Sequence, residues 1–151
     1  MKIAIGSDHA GFALKEKIKE FLKANGYHFE DFGAHSEEAS DYPDFAKKVA
    51  EAVLSGFDLG ILICGSGIGM SIAANKFPGI RAAFCTSPEI AKASREHNNA
   101  NILTLGARFI DEKTAIKIVR IFIETKFSGD ERHIRRLKKI AELETIFMGK
   151  K

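Results

Sequence analysis

The chain is poor in cysteine, in net charge and in long apolar runs. Only Cys64 and Cys85 are present among its 151 residues. Two thiols do not make a disulfide framework, and a chain of this length buries a core without covalent staples. Lys and Arg number 23 against 20 Asp and Glu, a net charge of +3. That excess is too small to direct the chain to nucleic acid or a membrane surface. No apolar run approaches the roughly 18 residues of a membrane span. The start, Met1-Lys2-Ile3-Ala4-Ile5-Gly6, reads as a strand and lacks the apolar stretch and cleavage site of a secretory leader, so a cytoplasmic protein is expected. Hydrophobic residues at 45% and charged residues at 28% are ordinary globular composition. One domain over residues 1–151 is expected.

Short apolar runs alternate with helical spacing. Strands are predicted at Lys2–Ser7, Tyr27–Phe32, Leu59–Cys64, Ile80–Cys85 and Ile102–Leu105. The run Leu59–Cys64 is apolar at every position but Gly60, as in a strand covered on both faces. Helical patterns fill the gaps. One runs from Phe12 to a stop at Asn25-Gly26; another follows Pro43 through Phe45, Val49 and Val53 to Ser55-Gly56. A third follows the Ser87-Pro88-Glu89 start and reaches His97, and Asp111 caps a fourth. The order β-α-β-α predicts a three-layer α/β/α Rossmann-like sandwich with five parallel strands. A last helix, Glu131–Phe147, has no strand after it. Its stripe of Ile134, Leu137, Ile140, Ala141, Leu143 and Phe147 suits covering its own domain or reaching a second subunit.

Open parallel sheets bind ligands beyond the carboxyl ends of their strands, where strand order reverses. That rule selects Ser7, Asp8 and His9 after strand 1, Cys64 and the following turn after strand 3, Thr86 and Ser87 after strand 4, and Gly106, Ala107 and Arg108 after strand 5. If strands 1 and 3 are neighbours, Asp8, His9 and Cys64 flank one crevice. In Cys64-Gly65-Ser66-Gly67-Ile68-Gly69, alternate glycines let main chain approach a ligand, and successive N–H groups suit an anion. The same donors favour a thiolate at Cys64. The dinucleotide fingerprint fails, because its sixth position is Met70, and no Gly-Lys-Ser/Thr follows for a phosphate loop.

Plainer roles compete. The glycines can serve tight packing alone, Asp8 can cap the helix near Gly11, and His97 can cap a helix C-terminus. A metal held by Asp8, His9, His97 and Cys64 has no close-spaced ligand motif behind it, so none is expected. Arg132, His133, Arg135, Arg136, Lys138 and Lys139 can form a solvated face. Arg132 and Arg136, four apart, share that face and suit a phosphate better than a duplex. Cys85 reads as a buried, inert thiol. His28 and His35 have no evident partners.

Several segments, in order and spacing, carry a resemblance. They are Gly6-Ser7-Asp8-His9-Ala10-Gly11-Phe12, Asp41-Tyr42-Pro43, Ile63 through Gly69, Ile72-Ala73-Ala74-Asn75-Lys76, Gly79-Ile80-Arg81-Ala82, Ser94-Arg95-Glu96-His97-Asn98 and Arg132-His133. From Lys2 to about Glu144 the sequence resembles the ribose-5-phosphate isomerase B family, which includes galactose-6-phosphate and allose-6-phosphate isomerases. The resemblance implies aldose–ketose isomerisation without metal or organic cofactor, with Cys64 as the base. It implies that Ser66, where many relatives carry Thr, shuttles a proton. His97, assisted by Asp8, opens the sugar ring. The N–H groups from Gly65 through Gly67 and Ile68 to Gly69 hold the oxyanion. His9, Arg108, Arg132 and Arg136 hold the phosphate, and Tyr42 and Asn98 lie beside the substrate. Relatives are dimers or tetramers with pockets shared between subunits, so a homo-oligomer is implied, with a sugar phosphate as its small-molecule partner. A six-carbon substrate, or a sugar-phosphate-binding protein without activity, is the alternative.

Overall fold

A computed structural model describes residues 1–149. Five parallel strands, β1 (Lys2–Ser7), β2 (His28–Asp31), β3 (Leu59–Cys64), β4 (Ala82–Phe84) and β5 (Ile102–Gly106), lie in the order β2-β1-β3-β5-β4. Helices α1 (Phe12–Ala24), α2 (Tyr42–Leu54), α3 (Ile68–Ala74), α4 (Pro88–Asn98), α5 (Glu112–Glu124) and α6 (Glu131–Leu143) follow the strands. The expected α/β/α sandwich with five parallel strands is what forms. Among the described residues, no helix is long and apolar enough to cross a membrane.

Strand alternation divides the core into two layers. Ile61 and Ile63 of β3 join Ile3, Ile5, Leu103 and Leu105 against Ile18 and Leu22 of α1 and Ile118, Val119 and Phe122 of α5. Leu62 and Cys64 point the other way, with Ala4 and Ile102, against Ala46, Val49 and Ala50 of α2 and Met70 and Ala74 of α3. Cys64 therefore leaves the sheet on the α2–α3 face. The chain winds from β1 out to β2 and returns across β1 to β3. The two strands pair directly, Ser7 opposite Ile63, so the reversal of strand order lies between them.

Element ends differ from expectation for local reasons. Tyr27 lies outside β2 because it completes the α1 terminus: Gly26 N–H donates to Lys23 O at 3.2 Å and Tyr27 N–H to Leu22 O at 2.9 Å, around a Gly26 φ of +74°. The fourth strand is Ala82–Phe84 rather than Ile80–Cys85. Its approach is taken over by a side chain, since Arg81 N–H donates to Asn101 Oδ1 at 2.7 Å. The last α-helix stops at Leu143 and widens into a π-helical turn, Glu144–Met148, where Glu144 Oε2 accepts from Gly79 N–H at 2.9 Å. Leu137, Ile140, Leu143 and Phe147 flank a groove of about 590 Å³ facing Ile80 and Ala82, yet Ile134, Ile140, Leu143 and Phe147 stay exposed.

One buried ionic cluster ties α1 to the sheet edge. Lys15 is wholly buried, and its ammonium donates to Asp31 Oδ2, which also accepts from Lys19 at 2.8 Å. Asp31 Oδ1 accepts from Gly33 N–H at 2.8 Å. Burial opposes ionisation of Asp31, but the bonds from Lys15, Lys19 and Gly33 outweigh it and hold the carboxyl below its ordinary range. Asp31→Ala leaves the Lys15 charge buried without its main partner and is expected to cost about 3–5 kcal/mol in urea unfolding at neutral pH. The lowered folded-state value makes the native carboxylate contribution complete above the unfolded value of about 3.9 and lost as pH falls through the folded one. The gap between native protein and variant should therefore close in acid; a gap constant down to the acid transition would remove this role from Asp31.

Candidate active site

The crevice between the tips of β1 and β3 is a cleft of about 650 Å³. Asp8, His9, Tyr42, Cys64, Gly65, Ser66, Ile68, Gly69 and Arg108 line it, as do Ala10, Ile72 and Phe109. The main chain fixes its floor. Asp8 N–H donates to Ile63 O at 3.2 Å, and Ala107 and Arg108 N–H groups donate to Cys64 O and Gly65 O at 2.9 and 3.0 Å. Three strand tips are thereby locked together.

The Cys64 turn is shaped by two glycines. Gly67 has a φ of +81°, and a Cβ there would lie 2.8 Å from Leu105 C and 2.9 Å from Gly106 N, main-chain atoms that cannot yield. Its N–H donates to Cys64 Sγ at 3.1 Å, a bond that strengthens when the sulfur is anionic. A Cβ at Gly69 would meet the Tyr42 ring at 2.6 Å, so the missing side chain lets Tyr42 lie across α3. Ile68 N–H donates to Ser66 Oγ at 3.2 Å, which leaves the Ser66 hydroxyl hydrogen free to donate. The Gly65, Ser66 and Gly69 N–H groups have no intramolecular acceptor among the described residues. Five amides in sequence were expected to face an oxyanion; two of them, Gly67 and Ile68, are engaged by the turn itself.

Asp8 takes the plainer capping role and also keeps its place in the crevice. Its buried carboxylate caps the turn, Oδ1 accepting from Gly11 N–H at 3.1 Å, and still lines the cleft. His9 is held by Ser40, whose N–H donates to Nδ1 at 3.1 Å and whose Oγ accepts from His9 N–H at 3.1 Å. Arg108 lies over Gly65, with Nη1 2.8 Å from the point a Cβ would occupy.

His97, Asn98, Arg132 and Arg136 do not reach this cleft within one chain. They lie exposed where the end of α4 meets α6. The His97 ring stacks on His133 with centroids 4.7 Å apart and planes 17° from parallel, and Arg132 Nε donates to His133 Nε2. Burial, with Arg132, His97 and Arg136 alongside, lowers the His133 value. Sequence reasoning also passed over Ser40, Phe109 and Ile72. Phe109 was available from its place beside Arg108, but nothing in the sequence pairs Ser40 with His9 across 31 positions. Among the described residues, no three His, Cys, Asp or Glu side chains converge as a metal ion requires.

Comparison with known proteins gives consistent findings. The sequence profile of a family described as Ribose/Galactose Isomerase matches residues 3–140. Ribose-5-phosphate isomerase B of Escherichia coli is 46% identical over 144 residues, covering 95% of this chain and 96% of that one. The structure of Clostridium thermocellum ribose-5-phosphate isomerase B superposes with a TM-score of 0.95 at 55% identity, covering 97% of this chain and 99% of the other. That of the Mycoplasma genitalium protein, solved with bound ribulose-5-phosphate, gives 0.90 at 45% identity, with coverage of 95% and 96%.

The two thiols differ in surroundings. Burial pushes Cys85 up to about 11, against the opposing Ser94 hydroxyl, whereas Cys64 opens on the cleft beside a main-chain donor. Iodoacetamide at mildly alkaline pH is expected to alkylate Cys64 and spare Cys85, read by peptide mass spectrometry. Modification of Cys85 first would reverse the assignment of which sulfur is reactive.

Proposed function

Because the chain belongs to the ribose/galactose isomerase family, we propose that it interconverts ribose 5-phosphate and ribulose 5-phosphate through an enediolate. The observation that carries this is the buried Cys64, which lines the β1–β3 cleft with its Sγ beside Gly67 N–H and in the company of Asp8, His9, Ser66 and Arg108. Isomerisation moves one carbon-bound proton between adjacent carbons and one hydroxyl proton between their oxygens. The Cys64 thiolate takes the proton from C2 of the open aldose and returns it to C1, so the sulfur ends as it began. Negative charge that develops on the carbonyl oxygen is met by the free Gly65, Ser66 and Gly69 N–H groups. The Ser66 hydroxyl passes the second proton between oxygens. His9 and Arg108 bind the phosphate, and Tyr42 closes the wall on the substrate side.

Ring opening and the remaining phosphate contacts call for groups that one chain keeps away from Cys64. His97, with Asp8 assisting, is the proposed ring-opening acid; Asn98, Arg132 and Arg136 complete the pocket from a second copy. The exposed Ile68, Ile72 and Phe109 at the rim, and the exposed apolar stripe of α6, are surfaces for such a copy to cover. The active protein is thus a homo-oligomer with shared pockets.

Two experiments follow. Cys64→Ala should abolish deuterium wash-in from solvent into ribose 5-phosphate while the far-ultraviolet spectrum is unchanged; undiminished exchange would remove the base. Allose 6-phosphate run in parallel decides between five- and six-carbon substrates. Separately, inactive Cys64→Ala and His97→Ala proteins, mixed and allowed to exchange subunits, should regain about a quarter of the native activity, since each mixed pair holds one intact pocket. A His97→Ala protein of native activity would remove His97 from the pocket, and no recovery after verified exchange would place Cys64 and His97 in the same subunit's pocket.

A further inference from the structure

The loop between β2 and α2 is tied back to the tip of β1 at two places. Ser7 N–H donates to Gly33 O and Ala34 N–H donates to Ser7 O, each at 2.6 Å. Two residues further along, His9 and Ser40 repeat the exchange at 3.1 Å, but here the acceptors are side-chain atoms, Ser40 Oγ and His9 Nδ1. A main-chain N–H can only donate, so Nδ1 must offer its lone pair. A neutral imidazole so engaged carries its single hydrogen on Nε2. His9 lines the cleft with its Nδ1 edge turned to the loop. The edge left for a ligand is Nε2.

We propose that Ser40 is a positioning residue: it fixes His9 in the Nε2–H tautomer, so that a neutral imidazole donates a hydrogen bond to a phosphate monoester in the cleft. The identity of the ligand rests on the sugar-phosphate reading above, whereas the tautomer rests on the two hydrogen bonds alone. Without the Ser40 N–H, the imidazole divides between two forms. One of them points a lone pair at the phosphate oxygens and repels them. The clamp removes that form and keeps the donor in place without placing a second full charge beside Arg108. It also makes the acidic loop 33–41, which runs from the β1 tip to Tyr42, part of the binding device.

The test is a two-bond ¹H–¹⁵N correlation spectrum of protein labelled at its five histidines, recorded at neutral pH, with His9 assigned by its loss in His9→Gln. The Nε2–H pattern is expected in the native protein and in Ser40→Ala, which keeps the main-chain donor. In Ser40→Pro, which removes that donor, it is expected to give way to a mixture of the Nε2–H and Nδ1–H forms. Inorganic phosphate titrated into the same samples should bind about twofold more weakly to Ser40→Pro than to native protein, because only the Nε2–H fraction of its imidazole can donate. An Nδ1–H or doubly protonated His9 in the native protein overturns the proposal. So does a Ser40→Pro protein with unchanged tautomer and unchanged phosphate affinity. Should Ser40→Pro fail to fold, the native spectrum decides. A fixed Nε2–H form in a protein that binds no phosphate would uphold the tautomer and overturn the ligand and the sugar-phosphate reading with it.

Discussion

The last rung between β1 and β3, Asp8 N–H to Ile63 O, sets everything the cleft can do. It holds the turn after one strand a fixed distance from the turn after the next, and both turns carry the polar groups. The contact is close enough to dictate sequence on either side. A Cβ on Gly11 would fall 2.4 Å from Ile63 O, so the chain entering α1 presses directly on the end of β3. On the far side Cys64 O and Gly65 O are taken by Ala107 and Arg108. The thiol therefore sits on a platform of three strand tips bonded to one another through their main chain, and its position owes little to its own side-chain freedom.

Much of this arrangement could be read from the residues. The alternation of apolar runs with helical spacing fixes a parallel sheet, and the rule about strand ends then selects Asp8, His9, Cys64 and Arg108 without reference to any known protein, together with Thr86 and Ser87, which do not line the cleft. What local reasoning supplied less well were boundaries and partners. Tyr27 belongs to a helix terminus although it begins the alternating stretch Tyr27–Phe32, because the terminus needs its N–H. The approach to β4 looks like strand, but an Asn101 side chain competes for the Arg81 amide. The roles of Ser40 in the site and of Asp31 at the sheet edge were invisible, since their partners lie 31 and 16 positions away and a turn residue or a strand-end carboxylate looks the same whether or not anything leans on it.

A second division runs through the molecule itself. The groups around Cys64 are fixed by the sheet, whereas His97, Asn98, Arg132 and Arg136 ride on the meeting of α4 and α6 and are presented outward. Stacking of His97 on His133 orders part of that outward set before any partner arrives. The terminal helix, with an exposed apolar stripe beside a basic face, is the element least explained by the needs of its own core. Its place in the function proposed above accounts for both faces together.

The outermost strands, β2 with four residues and β4 with three, are the shortest in the sheet. Each exposes only a few open main-chain groups, and β2 ends in the Asp31 cluster rather than in a run of apolar side chains. The strand most suited to pairing with a foreign chain, the apolar β3, is enclosed between β1 and β5. Such a sheet denies other chains a template for fibre growth, and the denial is built into strand length and order.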